Sequence, residues 1–159
     1  MAGERTIESV RDYPRPPRLE DVAERIRVVF CNRTIADSVR AVRVLETTHP
    51  PTYYIPPSDI DFTFLSPSQR QSLCEFKGVA SYWNLDVGDR VSLDCGWCYK
   101  QPTTSYERLT DHLAFYASRV DSCRVGEETV IPQQGDFYGG WITSWIRGPF
   151  KGAAGTRGW

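Results

Sequence analysis

Short runs of β-branched and aromatic residues, separated by turn-forming residues, constrain this chain more than any other feature. The stretch RIRVVFCNRTIADSVRAVRVLET, residues 25–47, predicts a meander of three strands with a turn at Asn32-Arg33. KGVASYWNL at 77–85 and RVSLDCGWCY at 90–99 predict a hairpin. We therefore expect a mainly β fold in which two antiparallel sheets pack face to face.

Three segments depart from this pattern. Residues 1–24 are charged and proline-rich, which predicts an irregular N-terminal arm before a single domain at 25–159. SPSQRQS, residues 66–72, is interpreted as one helical turn. In TTSYERLTDHLAFY, residues 103–116, large apolar side chains recur at steps of three and four, which predicts one main α-helix giving way to a strand near His112.

The closing segment GGWITSWIRGPFKGAAGTRGW, residues 139–159, combines glycines with three tryptophans. Glycine permits tight turns, and tryptophan contributes mainly through the area that it buries. We expect the segment to wrap over the domain, with Trp141, Trp145 and Trp159 buried and with glycines at positions that a Cβ would obstruct.

Charge and hydropathy limit the partners. A net charge of −1 gives no general attraction to nucleic acid or to anionic membranes. No apolar run approaches the ~18 residues that a membrane span needs, and the start of the chain lacks the apolar region of a secretory signal. We therefore expect a cytoplasmic protein that binds neither nucleic acid nor membranes. A small apolar or aromatic molecule is the expected partner, with a homodimer as a further candidate.

Metal and cofactor motifs are sparse. Of the five cysteines, only Cys95 and Cys98 form a C-x-x-C pair, whereas a structural zinc site generally uses four ligands. Asp59 and Asp61 beside two prolines fit turn formation better than cation binding. Phosphate-binding loops and hydrolase signatures are absent. We expect no metal and no cofactor, and cysteines that are packed as free thiols rather than bound to zinc.

Aromatic residues are dense on the predicted strands, and a few charged residues stand among them. Glu46 ends an apolar strand, and Lys77 lies between Phe76 and Gly78. A charge in such surroundings needs a partner or titrates abnormally, and such groups cluster at functional sites. An exposed charge at a strand end is the alternative interpretation.

Five separated motifs resemble the domain of unknown function 427 family. They are VLETTHPPTYYIP at 44–56, CEFKGVASYW at 74–83, WCYKQP at 97–102, LAFYASRV at 113–120 and GPFKGAAGTRGW at 148–159. The resemblance implies a β-tent fold, two antiparallel sheets meeting at an angle, as in methionine-R-sulfoxide reductases and the drug-binding domain of cereblon. A nucleotidyltransferase-like label is also attached to the family, but no phosphate loop here supports it.

The same resemblance points to recurring positions in this chain: Arg40, Glu46, Tyr54, Cys74, Lys77, Trp97 and Tyr99. Trp145 stands where similar sequences often carry an acid, and the closing segment resembles that of fungal members, which suggests a specialised metabolic pathway. We predict Glu46, Lys77 and Tyr54 as catalytic residues. The predicted substrate-binding residues are Arg40, Tyr82, Trp97, Tyr99, Tyr116 and Trp145.

Two functions fit these residues. The first is a cofactor-independent isomerase, cyclase or lyase in which Glu46, Lys77 and Tyr54 supply acid, base or hydrogen-bonding groups inside an aromatic pocket. The second is a binding module or protein-interaction module with an aromatic cage and no turnover. We prefer the first, because a buried lysine and glutamate are costly in a pocket that only binds. A redox role for Cys95 and Cys98 ranks third.

Overall fold

The structure, a computed structural model, describes residues 6–135, 137–152 and 156. Its strands are β1 (Glu8–Ser9), β2 (Arg18–Asp21), β3 (Ile26–Phe30), β4 (Arg33–Ser38), β5 (Val42–Leu45), β6 (Thr52–Tyr54), β7 (Leu65–Cys74), β8 (Gly78–Val87), β9 (Arg90–Cys98), β10 (Leu113–Phe115), β11 (Ser122–Val125), β12 (Glu128–Thr129), β13 (Ile131–Pro132), β14 (Trp141–Ile142) and β15 (Ile146–Arg147). Short 3-10 helices cover Val10–Asp12, Pro57–Asp59, Phe62–Phe64, Thr104–Leu109 and Ala117–Arg119. The mainly β fold is thus confirmed.

Seven of the fifteen strands in the described ranges belong to one antiparallel layer. One group has the order β2-β5-β6 and another the order β10-β9-β8-β7. Reciprocal backbone hydrogen bonds of 2.8 and 2.9 Å between Ile55, just after β6, and Leu113 in β10 connect the two groups. The seven-strand layer therefore has the order β2-β5-β6-β10-β9-β8-β7.

A second antiparallel sheet has the order β12-β11-β3-β4. The main hydrophobic core contains side chains from both sheets, such as Ile26 and Val28 of β3 with Leu85 of β8 and Phe115 of β10. Two antiparallel sheets that share one core match the predicted architecture.

The seven-strand layer buries side chains on both of its faces. Successive residues of a strand point to opposite faces. Tyr53 accordingly joins the main core and Tyr54 a second cluster, and Cys98 and Trp97 divide in the same way. We call the side that carries the second cluster the cavity face. Its buried residues are Val42, Val44, Tyr54, Ala80, Tyr82, Trp97, Tyr99, Tyr106, Leu109, Ala114 and Tyr116.

Two strand predictions need correction. β3 and β4 form the predicted hairpin, but β5 pairs with β2 and β6 instead of continuing the meander. All four residues of β5 are buried, so the strand requires cover on both faces and lies inside the seven-strand layer. SPSQRQS is part of β7 and not a helical turn. β7 ends the seven-strand layer, so many of its side chains are polar and give no apolar period.

The predicted main helix is shorter than expected. Residues 104–109 form a 3-10 helix rather than an α-helix, although Tyr106 and Leu109 are buried as the helical face predicts. Asp111 takes a left-handed φ of 60°, after which the chain enters β10. None of the helices in the described ranges is long and apolar enough to cross a membrane.

The N-terminal arm is partly built into the fold. Residues 18–21 form β2, which pairs along its whole length with β5. Arg43 of β5 is buried and forms salt bridges with Glu8, at 2.9 Å, and with Glu20, at 2.5 Å. The guanidinium of Arg43 thus fixes the arm to the seven-strand layer.

The described part of the closing segment, residues 139–152, packs on the domain as predicted. Trp141 is 1% exposed, stacks on Tyr53 with ring centres 5.2 Å apart, and donates through Nε1 to the carbonyl of Phe115 at 2.9 Å. Trp145 is also buried, whereas Trp159 lies outside the described residues. A Cβ on Gly139 would stand 2.3 Å from the Trp97 ring, so this close approach requires glycine.

Candidate functional site

A cavity of about 310 Å³ opens on the cavity face of the seven-strand layer. Its floor comes from β5, β6, β8 and β9, and the turn between β7 and β8 forms one wall. Residues 137–139 and Lys151 of the closing part of the chain form another wall. Seven of the nine predicted site residues line this cavity: Glu46, Tyr54, Lys77, Tyr82, Trp97, Tyr99 and Tyr116.

Trp97 is the centre of the aromatic wall. Its ring centre lies 4.7 Å from that of Tyr116, 6.2 Å from that of Tyr54 and 6.5 Å from that of Tyr82. The indole Nε1 donates to the Tyr54 hydroxyl at 3.2 Å. Because the Tyr54 oxygen accepts this bond, its own proton is the group that it can donate to a ligand.

Contacts with residues around the cavity hold the side chains of Tyr116 and Tyr82 in place. The Tyr116 hydroxyl donates to the carbonyl of Phe137 at 2.7 Å, and the Tyr82 hydroxyl lies 2.9 Å from that of Ser72. The guanidinium groups of Arg119 and Arg70 lie 4.6 Å from the ring centres of Tyr116 and Tyr82 respectively. The aromatic wall is therefore ordered before any ligand arrives.

Lys77 lies in the turn between β7 and β8. The N–H and the hydroxyl of Thr103 donate to the carbonyls of Lys77 and Phe76, at 3.0 and 2.6 Å, and hold this turn. The side chain is only 7% exposed. Burial acts to lower the pKa of Lys77, but the neighbouring Tyr54, Cys74 and Glu46 outweigh it and raise the pKa above its usual value. Lys77 is therefore an ammonium at neutral pH.

Glu46 directly follows β5 and opens onto the same cavity as Lys77. Its carboxylate lies 3.6 Å from Nε of Arg15, which comes from the N-terminal arm. The Glu46 side chain is 22% exposed, so it retains access to solvent while facing the aromatic wall. A carboxylate, an ammonium and a phenol are thus brought to one cavity.

His49 is a site residue that the sequence interpretation missed. It lines the cavity, is 8% exposed and contacts Tyr138 with ring centres 4.7 Å apart. Burial, followed by the charges of Lys151, Arg15 and Lys77, lowers the pKa of His49 to about 4. The imidazole is therefore neutral at pH 7. In the sequence, His49 precedes Pro50 and Pro51, where turn geometry alone can explain a histidine.

The tautomer of His49 follows from Gln133. The Gln133 oxygen accepts from the N–H of Gly140 at 3.0 Å, and its nitrogen donates to the carbonyl of Lys151 at 2.7 Å. These two bonds fix the orientation of the amide, so the same nitrogen must donate to Nδ1 of His49, 3.2 Å away. Nδ1 is then an acceptor, and the proton of the neutral imidazole resides on Nε2.

Two predicted residues lie away from the cavity. Arg40, in the loop between β4 and β5, is exposed and forms a salt bridge with Asp59 at 2.7 Å and a hydrogen bond with Ser58 at 2.8 Å. Trp145 packs in the main core, with the guanidinium of Arg43 5.6 Å from its ring centre. Neither side chain lines this cavity, because local partners hold each of them elsewhere. The prediction that they contact a ligand in the cavity is therefore corrected.

The C-x-x-C pair belongs to the opposite face. Cys95 and Cys98 are buried in the main core as free thiols. Burial raises the pKa of Cys95 to about 12 and also raises that of Cys98. Cys74, by contrast, lines the cavity near Lys77. In the described ranges, no three histidine, cysteine or carboxylate side chains are grouped to hold a metal ion.

The sequence profile of a family described as Domain of unknown function (DUF427) matches residues 18–126, which include β2 to β11 and most of the cavity floor. A search of the curated proteins finds no match to the chain. Because the family profile covers more than half of the chain and includes four of the five motifs, the chain belongs to the DUF427 family.

Proposed function

We propose that this protein binds a small apolar or aromatic molecule in the cavity and acts on it by acid–base chemistry, without an organic cofactor. One observation carries the proposal: the ammonium of Lys77 is almost completely buried beside an aromatic wall. Lys77 forms no salt bridge with any residue in the described ranges. A buried charge without a close counterion is costly, and such groups are typical of functional sites.

The arrangement suits proton transfer next to a carbonyl group. The Glu46 carboxylate accepts a proton from a ligand C–H bond, and the electron pair of that bond moves onto the carbonyl oxygen. The Lys77 ammonium and the Tyr54 hydroxyl then stabilise the resulting oxyanion. When a carbon–carbon double bond lies next to that C–H group, the oxyanion is a dienolate. Return of the proton from Glu46 to its γ carbon then completes an isomerisation, and no electron donor or acceptor is needed.

Loss of a leaving group or closure of a ring from the same oxyanion would give a lyase or a cyclase. These alternatives use the same three side chains, so the proposal covers the reaction class and not one substrate. A cytoplasmic location, a homodimer and a place in specialised metabolism stay predictions.

A binding module without turnover is the second candidate, and the ring arrangement around Trp97 supports it. Four aromatic side chains that hold one another in place, Tyr54, Tyr82, Trp97 and Tyr116, could enclose a ligand without any proton transfer. The two candidates differ in whether Glu46 exchanges a proton with the ligand.

Deuterium exchange tests this difference. Aryl ketones that bind in ligand-observed NMR are incubated with the protein in D2O, and loss of the proton signal next to the carbonyl is followed. The wild type should accelerate exchange over buffer, and Glu46→Gln should lower the rate by about 100-fold. Glu107→Gln, which changes an exposed glutamate outside the cavity, is the control. Equal binding with no exchange by either protein would favour the binding module.

A further inference from the structure

One side of the cavity carries an excess of positive charge. Among the described lining residues there are three cations, Arg15, Lys77 and Lys151, and two carboxylates, Glu46 and Glu75. Glu75 is exposed, and Glu46 lies beside Arg15. The Lys151 ammonium lies 5.1 Å from the ring centre of Tyr138 and forms no salt bridge with the described residues.

His49 adds a hydrogen-bond donor to this side. Of the charged residues, Lys151 has the strongest effect on His49, and Gln133 connects the two by bonding to Nδ1 of His49 and to the Lys151 carbonyl. Because Nδ1 of His49 accepts a hydrogen bond from Gln133, the group that His49 can donate to a ligand is its Nε2 proton. The His49 ring and the Lys151 ammonium both lie against the Tyr138 ring, at 4.7 and 5.1 Å, so they present two hydrogen-bond donors to the same side of the cavity. Such a pair of donors favours an acceptor as its ligand.

We propose that the ligand of this cavity carries a carboxylate, which binds between His49 and Lys151 while the apolar part of the ligand lies on the Trp97 wall. The substrate class is therefore an aromatic or apolar monocarboxylic acid. This inference rests on the proposed function in that it takes the cavity as the ligand site, but it does not depend on turnover.

The charge balance favours a carboxylate over a phosphate. The described lining residues have one cation more than they have carboxylates, so a monoanion neutralises the site. A phosphate monoester carries more charge than this at neutral pH, and Glu46 faces the same cavity and would repel the surplus. A carboxylate also offers two oxygens, one for the His49 N–H and one for the Lys151 ammonium.

The test compares two probes of the same shape. Binding of 3-phenylpropionate and of its neutral amide, 3-phenylpropionamide, is measured by NMR titration. The acid should bind the wild type about tenfold more tightly than the amide. Lys151→Met should remove most of this preference and leave the affinity for the amide unchanged. The backbone N–H of residue 151 still donates to the carbonyl of Thr48, so this variant should keep the fold.

Lys100→Met, at an exposed lysine outside the cavity, is the matched control and should retain the preference. His49→Phe keeps the ring but removes the N–H, and should also reduce the preference. Equal affinity for acid and amide, or binding of neither, would overturn the inference. Tighter binding of phenyl phosphate than of the acid would overturn it as well. Preference for the acid without deuterium exchange would support this inference while contradicting the proposed catalysis.

Discussion

Tyr53 and Tyr54 are neighbours in β6, yet they belong to regions of opposite character. Tyr53 stacks on Trp141 inside the main hydrophobic core, whereas Tyr54 faces a cavity that an ammonium and a carboxylate also line. In β9 the same alternation sends Cys98 to the core and Trp97 to the cavity. One set of strands thus contributes side chains both to the hydrophobic core and to a cavity with charged walls.

Residues on the core side of the layer therefore stabilise the fold, whereas buried charges on the cavity face reduce its stability. Side chains that point from the seven-strand layer into the main core pack between the two sheets. Substitutions there should therefore lower the free energy of unfolding. Lys77 and Lys151 line the cavity without a salt bridge to any described residue, so changes at these side chains should appear mainly in ligand affinity and in pH dependence.

The largest expected effect lies on the core face. Trp141→Ala should lower the free energy of unfolding by about 3–5 kcal/mol, because it removes a fully buried ring and its hydrogen bond to Phe115. Urea denaturation measures this loss. Trp141→Phe, which retains a ring, should lose less. A loss below about 1 kcal/mol for the alanine variant would mean that the closing segment does not stabilise the core.

His49 gives the next effect, and it depends on pH. The pKa of His49 is about 4 in the folded protein, against 6.5 when it is not perturbed. The unfolded chain therefore binds more protons between these values, and stability should fall as pH falls from 6.5 towards 4. The full effect of this group is about 3 kcal/mol. His49→Gln should flatten the profile in this window, as measured by denaturation at several pH values.

The aspartates give a contrast within the same experiment. Asp37 and Asp59 have lowered pKa values because of hydrogen bonds from Arg25 and Arg40, so their contribution disappears below the usual carboxyl range. At the lowest pH values, the free energy of unfolding should therefore fall with pH equally steeply in the wild type and in His49→Gln. A variant profile that matches the wild type throughout would show that His49 is not buried as a neutral ring.

The smallest effect on stability is expected for Lys77→Met. Replacing a buried ammonium with an apolar side chain of similar length should change the free energy of unfolding by no more than about 1 kcal/mol. Affinity for the ketone probes should nevertheless fall, because the oxygen-stabilising charge is lost. Denaturation measures the change in stability, and NMR titration of the same sample measures the change in affinity. A loss of stability as large as that of Trp141→Ala would contradict the distinction between the two faces.

The sequence predicted those parts of the fold where pattern and burial agree. The β8–β9 hairpin and the β3–β4 hairpin have clear turns and apolar strands, so both were found. β7 was missed because it is the end strand of the layer and its outward residues are polar. The site was found in part, because Glu46 and Lys77 stand out as charges inside apolar motifs.

Other site residues gave no such signal. His49 and Gln133 are 84 positions apart, and only the fold shows that their side chains are hydrogen-bonded. Trp145 was assigned to the pocket from a substitution relative to similar sequences, and such a difference does not reveal which face a side chain occupies. Trp145→Glu should therefore reduce packing near Arg43.

The connection between Ile55 and Leu113 has a dynamic consequence. Two backbone hydrogen bonds join the halves of the seven-strand layer there, and the cavity spans this junction, with Tyr54 on one side and Trp97 on the other. Local opening of a fold occurs most readily where its elements are joined by few contacts. A ligand that touches both rings would suppress this opening, so the amide protons of Ile55 and Leu113 should exchange with solvent more slowly when the cavity is occupied.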